Sequence, residues 1–201
     1  MTSSNNLKIP LYAKGFKYFK SAVKYAKDVC EGKIIVSESP RLECKRFLTE
    51  LELQKDKNYP YYFDKVAGEK ICSFLETLQH VKGKWARGDI QSRYLHLEPW
   101  QCFICVNIFG WKKRVDDLRR YMLAYLELPR KQGKSFFSAG FGLYMFAVDG
   151  EAGAEVYCGA TSLDQAMHVF KPASLMVERN EFFKKKYKVN VKKEFMDLPD
   201  G

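Results

Sequence analysis

The chain has 201 residues, 46% of them hydrophobic, which is enough to bury a core and excludes collagen-like, low-complexity and disordered classes. Its formal net charge of +10 favours a polyanionic partner but specifies no fold. No apolar run reaches the roughly 18 uncharged residues that a membrane span requires, and residues 1–15 lack the apolar core of a signal peptide. We therefore expect a cytoplasmic protein with no membrane partner.

Amphipathic patterning in the first third of the chain predicts a mainly helical region. Apolar residues at helical spacing indicate three helices, around residues 16–26, 42–51 and 64–78. A turn is predicted between the first two helices, and within it Lys33–Val36 is a candidate for a short extended piece.

A polar, glycine-bearing stretch over residues 82–94 follows the third predicted helix. Such composition is typical of a linker between folded units. We therefore place a domain boundary at about residue 90, with a helical N-terminal region over 1–90 and a second domain over 91–201.

The sequence His96–Gln101 predicts the start of a further helix, because Pro99 suits the first helical position. Gln101 carries both a donor and an acceptor, which is what the edge of an adenine requires, and Trp100 beside it could pack against the base. The alternative is a buried tryptophan next to a surface glutamine.

Six cysteines are scattered among apolar neighbours, at positions 30, 44, 72, 102, 105 and 158. Cys102 and Cys105 form a CxxC pair, but a zinc site would need a second pair or nearby histidines. Free, buried thiols are therefore expected rather than a metal or redox centre.

The segment Tyr121–Ser135, YMLAYLELPRKQGKS, is typical of a phosphate-binding loop, in which an apolar strand leads into a short loop ending Gly-Lys-Ser. Gly133 lets the backbone approach phosphates, Lys134 reaches the β- and γ-phosphates, and Ser135 offers a hydroxyl to Mg²⁺. A helix is predicted to begin near Ser135, with its first amides facing the anion.

The first half of this loop is a variant, because Leu128 stands where the usual pattern has glycine. Pro129 favours an extended conformation for Leu128, which suits the end of a strand. Arg130 and Lys131 add positive charge that suits a polyphosphate. The alternative is a charged turn between a strand and a helix that contains GKS by chance.

The residues after the loop support an α/β fold. Phe136–Gly150 reads as a buried helix, Ala154–Gly159 as a buried strand, and Ser162 as the N-cap of another helix. The order strand, loop, helix, strand, helix predicts the beginning of a parallel sheet.

Lysines are concentrated near the end of the chain, at positions 184, 185, 186, 188, 192 and 193. A solvated surface and a nucleic-acid contact explain this run equally well.

The segments LEPWQ, FGW, RRYMLAYLELPRKQGKS and GATSLDQA together resemble the large terminase subunit of tailed bacteriophages. The likeness continues upstream in YAKDVCEGKI, RLECKRFLTELE, YPYYFD and FLETLQHVKGKW, so it covers nearly the whole chain. In that family the enzyme is the ATP-driven motor that pumps viral DNA into a capsid, and a nuclease domain cuts the DNA.

The resemblance implies an α/β, P-loop NTPase-type parallel sheet, preceded by the mainly helical region. It implies ATP and Mg²⁺ as cofactors, adenine recognition by Gln101, and catalytic roles for Lys134 and for Arg130, which would act on the γ-phosphate. The residues implied to contact the nucleotide are Trp100, Gln101, Arg130, Lys131, Gln132, Gly133, Lys134, Ser135 and Phe136. Implied partners are double-stranded DNA, a small terminase subunit, a portal protein and further copies in a ring.

The sequence departs from a complete motor because no apolar strand ending Asp-Glu follows the loop, and hydrolysis needs such a second acidic site. We expect that motif, and the nuclease carboxylates, beyond residue 201, so that this portion binds ATP without hydrolysing it alone. Three alternatives remain open: another P-loop nucleic-acid ATPase such as a helicase or partitioning protein, a non-enzymatic basic DNA-binding module, and an inactive gene remnant.

Overall fold

The structure is a computed structural model that describes residues 15–89 and 92–199. Its contacts divide the chain into two compact units, which we describe separately. Of the described residues, the first unit contains 15–74 and 96–126, and the second unit contains 75–89, 92–95 and 127–199. The expectations for residues 1–14 and for a boundary at about residue 90 fall outside the described residues.

Four helices and a two-stranded antiparallel sheet form the first unit. They are α1 (Lys17–Cys30), α2 (Glu38–Leu53), β1 (Tyr61–Phe63), α3 (Lys65–Leu75), α4 (Pro99–Gly110) and β2 (Trp111–Lys113). The helices predicted in these regions are confirmed, although α3 ends at Leu75 rather than Leu78. The sheet pairs Tyr61 with Lys113 and Phe63 with Trp111.

The predicted extended piece Lys33–Val36 is wrong. The backbone N–H groups of Lys33 and Ile34 donate to the carbonyl of Asp28, at 2.8 and 3.2 Å, and so close the end of α1. Gly32 adopts the left-handed conformation that this helix ending favours, with φ of 75°. These residues therefore complete a helix terminus and do not form a strand.

Aromatic side chains dominate the core of the first unit. Phe47 on α2 is fully buried and makes edge-on contacts with Phe63, Phe103 and Trp111, at ring-centroid distances of 5.7, 5.4 and 6.4 Å. Such edge-to-face pairs add stabilisation beyond the apolar area that they bury. The Phe47 ring thus connects α2 to both strands of the sheet and to α4.

A buried carboxylate from α3 caps the first turn of α1. Glu69 is fully buried, and its Oε1 accepts a hydrogen bond of 2.7 Å from the backbone N–H of Phe19. Within the described residues, its Oε2 is buried without a hydrogen-bond partner. Burial raises the pKa of Glu69, and this effect outweighs the opposing effects of the Phe19 amide and of Lys17.

The raised pKa of Glu69 predicts a specific pH dependence of stability. The folded state binds a proton more tightly than the unfolded state, so this residue's contribution is full at acidic pH and decreases as pH rises through the folded pKa. Glu69→Gln keeps an acceptor for Phe19 and does not titrate. Urea unfolding from about pH 4 upward is expected to show the variant gaining stability relative to wild type, whereas a constant difference would contradict the assignment.

Three helices and a short antiparallel pair of strands follow in the second unit. They are α5 (Lys134–Ala147), α6 (Leu163–Arg179), α7 (Glu181–Tyr187), β3 (Asn190–Val191) and β4 (Met196–Asp197). A single turn of 3₁₀-helix spans Trp85–Arg87. The predicted cap is confirmed, because the Ser162 hydroxyl accepts a hydrogen bond of 3.3 Å from the N–H of Gln165.

Helix α5 packs its small and apolar residues inward in the second unit. Phe137, Ala139, Gly140 and Leu143 are buried along one side. A Cβ atom at Gly140 would overlap the side chain of Leu75, the last residue of α3 and the first described residue of the second unit, so the glycine permits close approach. The predicted helix over this segment is confirmed, but it is buried on one side only, because Ser138 and Met145 are exposed.

The two predicted strands Tyr121–Leu128 and Ala154–Gly159 are not formed in the structure. Both segments lack regular secondary structure, and Met122, Leu123 and Tyr157 are more than four-fifths exposed. A strand requires a hydrogen-bonded neighbour, and within the described residues none pairs with either segment. The fold is a mixed helical one with small antiparallel sheets, which is consistent with the α/β class.

The cysteines are free, as predicted, but not all of them are buried. Cys44, Cys72, Cys102 and Cys105 lie in the interior, whereas Cys30 and Cys158 are exposed. Burial raises the pKa of Cys44 to about 12, which disfavours the reactive thiolate. In the part of the chain that the structure describes, no three His, Cys, Asp or Glu side chains are grouped so as to hold a metal ion.

None of the helices within residues 15–89 and 92–199 combines the length and apolar character that a transmembrane span requires.

Candidate functional site

The loop that leads into α5 is sharply curved. Lys131 and Gly133 both adopt left-handed conformations, with φ of 67° and 75°. A backbone that alternates in this way can turn consecutive N–H groups toward one side, and such concavities bind anions. Lys131 bears a side chain in a region of φ and ψ that favours glycine, so the curvature is maintained at some conformational cost.

Lys134 closes the loop on itself. Its Nζ donates a hydrogen bond of 2.6 Å to the carbonyl oxygen of Leu128, six residues earlier. The ammonium group therefore lies across the loop, while the side chain as a whole remains exposed. The carbonyl of Leu128 was not predicted as part of the site, because the residue type carries no information about a main-chain acceptor.

Helix α5 begins at Lys134, with Gly133 as its N-cap, close to the predicted start. Across this boundary, the backbone N–H of Phe137 donates a hydrogen bond of 2.9 Å to the carbonyl of Gly133. The backbone amides of the first turn of an α-helix have no acceptor within the helix, and they form the positive end of the helix dipole. No side chain caps this helix, so its first turn is open to an anion.

The side chains predicted to contact a nucleotide are accessible. Arg130, Lys131, Gln132, Lys134 and Ser135 are all exposed. Three of these side chains are cations within five residues, and among residues 129–135 there is no acidic side chain. The loop therefore combines an exposed positive charge with a hydroxyl at the first turn of the helix.

Phe136 anchors the loop to the second unit instead of pointing into solvent. Its ring stacks on the imidazole of His80, at a centroid distance of 5.1 Å and an interplanar angle of 21°. His80 in turn stacks on Trp85, at 6.3 Å. His80 was not predicted to support the site, since it lies 56 residues before Phe136 and no local pattern connects them.

Trp100 and Gln101 lie in the first turn of α4, in the first unit. The side-chain oxygen of Gln101 accepts a hydrogen bond of 2.9 Å from the backbone N–H of Glu98, and the Glu98 side chain accepts one from the Gln101 backbone. This capping box fixes the orientation of the glutamine amide. The amide oxygen is engaged in the cap, which leaves the Nε2 group as the donor directed elsewhere.

No curated protein and no solved structure matches the chain significantly. The family model described as Terminase large subunit, ATPase domain, matches residues 99–198. The matched segment contains α4, the curved loop and helices α5 to α7. The resemblance seen in the sequence is thereby confirmed over residues 99–198, which belong to the ATPase domain of the terminase large subunit family.

Proposed function

We propose that this chain binds ATP through the loop 128–135, as part of a DNA-packaging motor of the terminase type. The observation that carries the proposal is the position of the Lys134 ammonium group, 2.6 Å from the Leu128 carbonyl across a loop with left-handed residues at 131 and 133. A triphosphate would replace that carbonyl as the partner of the ammonium, because a charged acceptor forms the stronger hydrogen bond.

The residues of the loop fit a nucleotide and Mg²⁺ by their chemistry and exposure. The first-turn amides of α5 and Lys134 would bind the β- and γ-phosphates, while Lys131 and Gln132 would line the opposite side. The exposed hydroxyl of Ser135 would hold Mg²⁺, which supplies charge neutralisation of the phosphates when bound. Because the Phe136 ring is stacked on His80, we assign its backbone N–H, rather than its ring, to the nucleotide.

Arg130 would stabilise negative charge on the transferred phosphoryl group. Its side chain is exposed and lies four residues before Lys134. A guanidinium group remains protonated at all physiological pH values and can contact two phosphate oxygens together. We assign Arg130 and Lys134 as the catalytic residues, although the second acidic motif that hydrolysis requires was not found in the sequence.

Gln101 would recognise adenine, with Trp100 packing beside it. The Nε2 group of Gln101 can donate to a ring nitrogen while its oxygen remains in the capping box with Glu98. The capping box therefore holds the glutamine in a defined orientation before the nucleotide arrives.

The exposed apolar segments Tyr121–Leu128 and Ala154–Gly159 would serve as strands of a P-loop-type parallel sheet. Their exposed side chains include Met122, Leu123 and Tyr157, which are apolar or aromatic and unusual on a solvated surface. Pairing with further strands would bury them. This proposal explains why the sequence pattern of a strand precedes the loop although none forms here.

On the basis of the family, we also propose wider roles for the protein. These are ATP-driven translocation and endonuclease cleavage of phage DNA, assembly into a ring, and contacts with a small terminase subunit and a portal protein. Their setting would be the cytoplasm of an infected host cell.

Replacing Lys134 by alanine tests the nucleotide assignment. Loss of a charge-assisted hydrogen bond, worth about 1.5–3 kcal/mol, is expected to weaken binding of a fluorescent ATP analogue by roughly 10- to 100-fold. The matched control is Lys171→Ala, because Lys171 is an exposed lysine on α6 and the charge change is the same. Circular dichroism would establish that both variants are folded.

Equal affinity of wild type and Lys134→Ala for the ATP analogue would overturn the loop assignment.

A second candidate function, a non-enzymatic DNA-binding module, is favoured by the exposed lysines of α7, Lys184, Lys185 and Lys186. Binding of duplex DNA that depends steeply on salt and is unchanged by ATP would support that module instead. A helicase-type ATPase is disfavoured by the family match.

A further inference from the structure

A basic cavity lies in the first unit, between the loop 57–60 and the end of β2. Its volume is about 460 Å³, within the range of small-ligand sites. Three of the residues that line it are cations, Lys57, Lys113 and Arg114, and none of the described lining residues is acidic. None of the residues assigned to the nucleotide above is among those that line this cavity.

Arg114 makes the cavity wall a fixed structure. Its Nε donates to the carbonyl of Tyr59 and its Nη2 to the carbonyl of Gln54, each at 2.9 Å. The backbone N–H of Arg114 also donates to the carbonyl of Pro60, at 2.9 Å. These three bonds hold the loop against the strand, so the concave shape does not depend on a ligand.

The two lysines supply the accessible charge. Lys57 is exposed, on the loop side of the cavity. Lys113 stands on the strand side, where its Nζ lies 2.7 Å from Asp116. An ion pair at a partly solvated position is weak, so Lys113 can exchange Asp116 for a phosphate. The loop 57–60 and the strand β2 therefore each contribute a lysine to the lining of the cavity.

Tyrosine rings form the remaining wall. Tyr59 and Tyr61 are half-buried and meet edge to face, with ring centroids 5.7 Å apart. The guanidinium group of Arg120 lies 4.0 Å from the ring centroid of Tyr61 and covers part of that ring. Tyr59 is therefore the ring better placed to meet an incoming aromatic group.

We propose that this cavity binds a single strand of nucleic acid, with a phosphodiester between Lys57 and Lys113 and an unpaired base against Tyr59. Aromatic platforms beside cations are the means by which proteins hold single strands. A duplex is a broad, convex cylinder with its bases stacked inside, so it cannot place a base in a cavity of this size. An acidic peptide would satisfy the lysines but not the aromatic wall.

The test is the affinity of the whole chain for a fluorescein-labelled oligothymidylate of about 10 nucleotides, measured by anisotropy. The double variant Lys57→Glu/Lys113→Glu is expected to bind at least about 30-fold more weakly. The slope of log K against the logarithm of salt concentration is expected to decrease in magnitude by about 1.4, for two lost phosphate contacts. Tyr59→Leu is expected to weaken binding by roughly tenfold.

The matched control is Lys27→Glu/Lys45→Glu, which changes charge equally on exposed positions of α1 and α2 outside the cavity. Its binding is expected to change by less than about threefold. Equal losses in both double variants, or unaltered binding by Tyr59→Leu, would overturn the proposal. Competition by unlabelled duplex as strong as by the single strand would also overturn it, as would displacement by ATP alone. Circular dichroism excludes unfolding as the cause.

Discussion

Replacing Phe47 by alanine is expected to lower the free energy of unfolding of the first unit by about 3–5 kcal/mol. The ring is fully buried and contacts Phe63, Phe103 and Trp111, which come from three different elements of the unit. Removing it forfeits the transfer free energy of a phenyl group and leaves a cavity that rigid aromatic neighbours cannot fill. Urea unfolding followed by far-ultraviolet circular dichroism measures the change.

Leu42→Ala is the control for this prediction. Leu42 lies on the same helix and is 54% exposed, so its truncation is expected to cost no more than about 0.5 kcal/mol. A Phe47→Ala variant that unfolds within about 1 kcal/mol of the wild type would show that the aromatic cluster does not hold the first unit together.

Replacing Glu50 by alanine is expected to cost about 3 kcal/mol, because it leaves a guanidinium group unpaired in a largely buried position. Arg120 donates from Nη1 to Glu50 Oε2 at 2.7 Å and from Nη2 to Oε1 at 2.8 Å. The two side chains are only 15% and 10% exposed. This two-bond pair connects the last turn of α2 to the segment that follows β2, and urea unfolding measures its loss.

Two further variants separate charge burial from simple truncation. Glu52→Ala removes a carboxylate that is 71% exposed and paired with Lys55, and no measurable change is expected. The double variant Glu50→Ala/Arg120→Met is expected to be more stable than Glu50→Ala alone, because the lone buried charge is gone. A double variant that is less stable than Glu50→Ala would contradict this account.

Local patterns were sufficient for most helices of this protein. Ser162 specifies the start of α6 through a hydrogen bond with Gln165, three residues away, and Pro99 favours the start of α4 through its fixed φ. The Gly-Lys-Ser pattern also located Gly133 in the curved loop, since few other residue types adopt its left-handed conformation readily. The sequence resemblance to the terminase family rested on the same local motifs.

Strand pairing could not be read from the same patterns. Tyr121–Leu128 has the composition of a buried strand, yet a strand exists only when another segment satisfies its backbone hydrogen bonds. Conversely, Tyr61–Phe63 and Trp111–Lys113 pair although residues 64–110, 47 in all, lie between the two strands. The pairing follows from the aromatic core around Phe47 and not from either strand alone.

By itself, the sequence determined most of the helices, the Gly-Lys-Ser loop and the family, because each depends on residues close together in the chain. Only the tertiary structure decided that Lys134 bonds to the Leu128 carbonyl, that His80 supports Phe136, and that Lys57 and Lys113 share a cavity. These relations join main-chain atoms or residues distant in sequence. Their geometry follows from how the elements of each unit pack, which no local periodicity records.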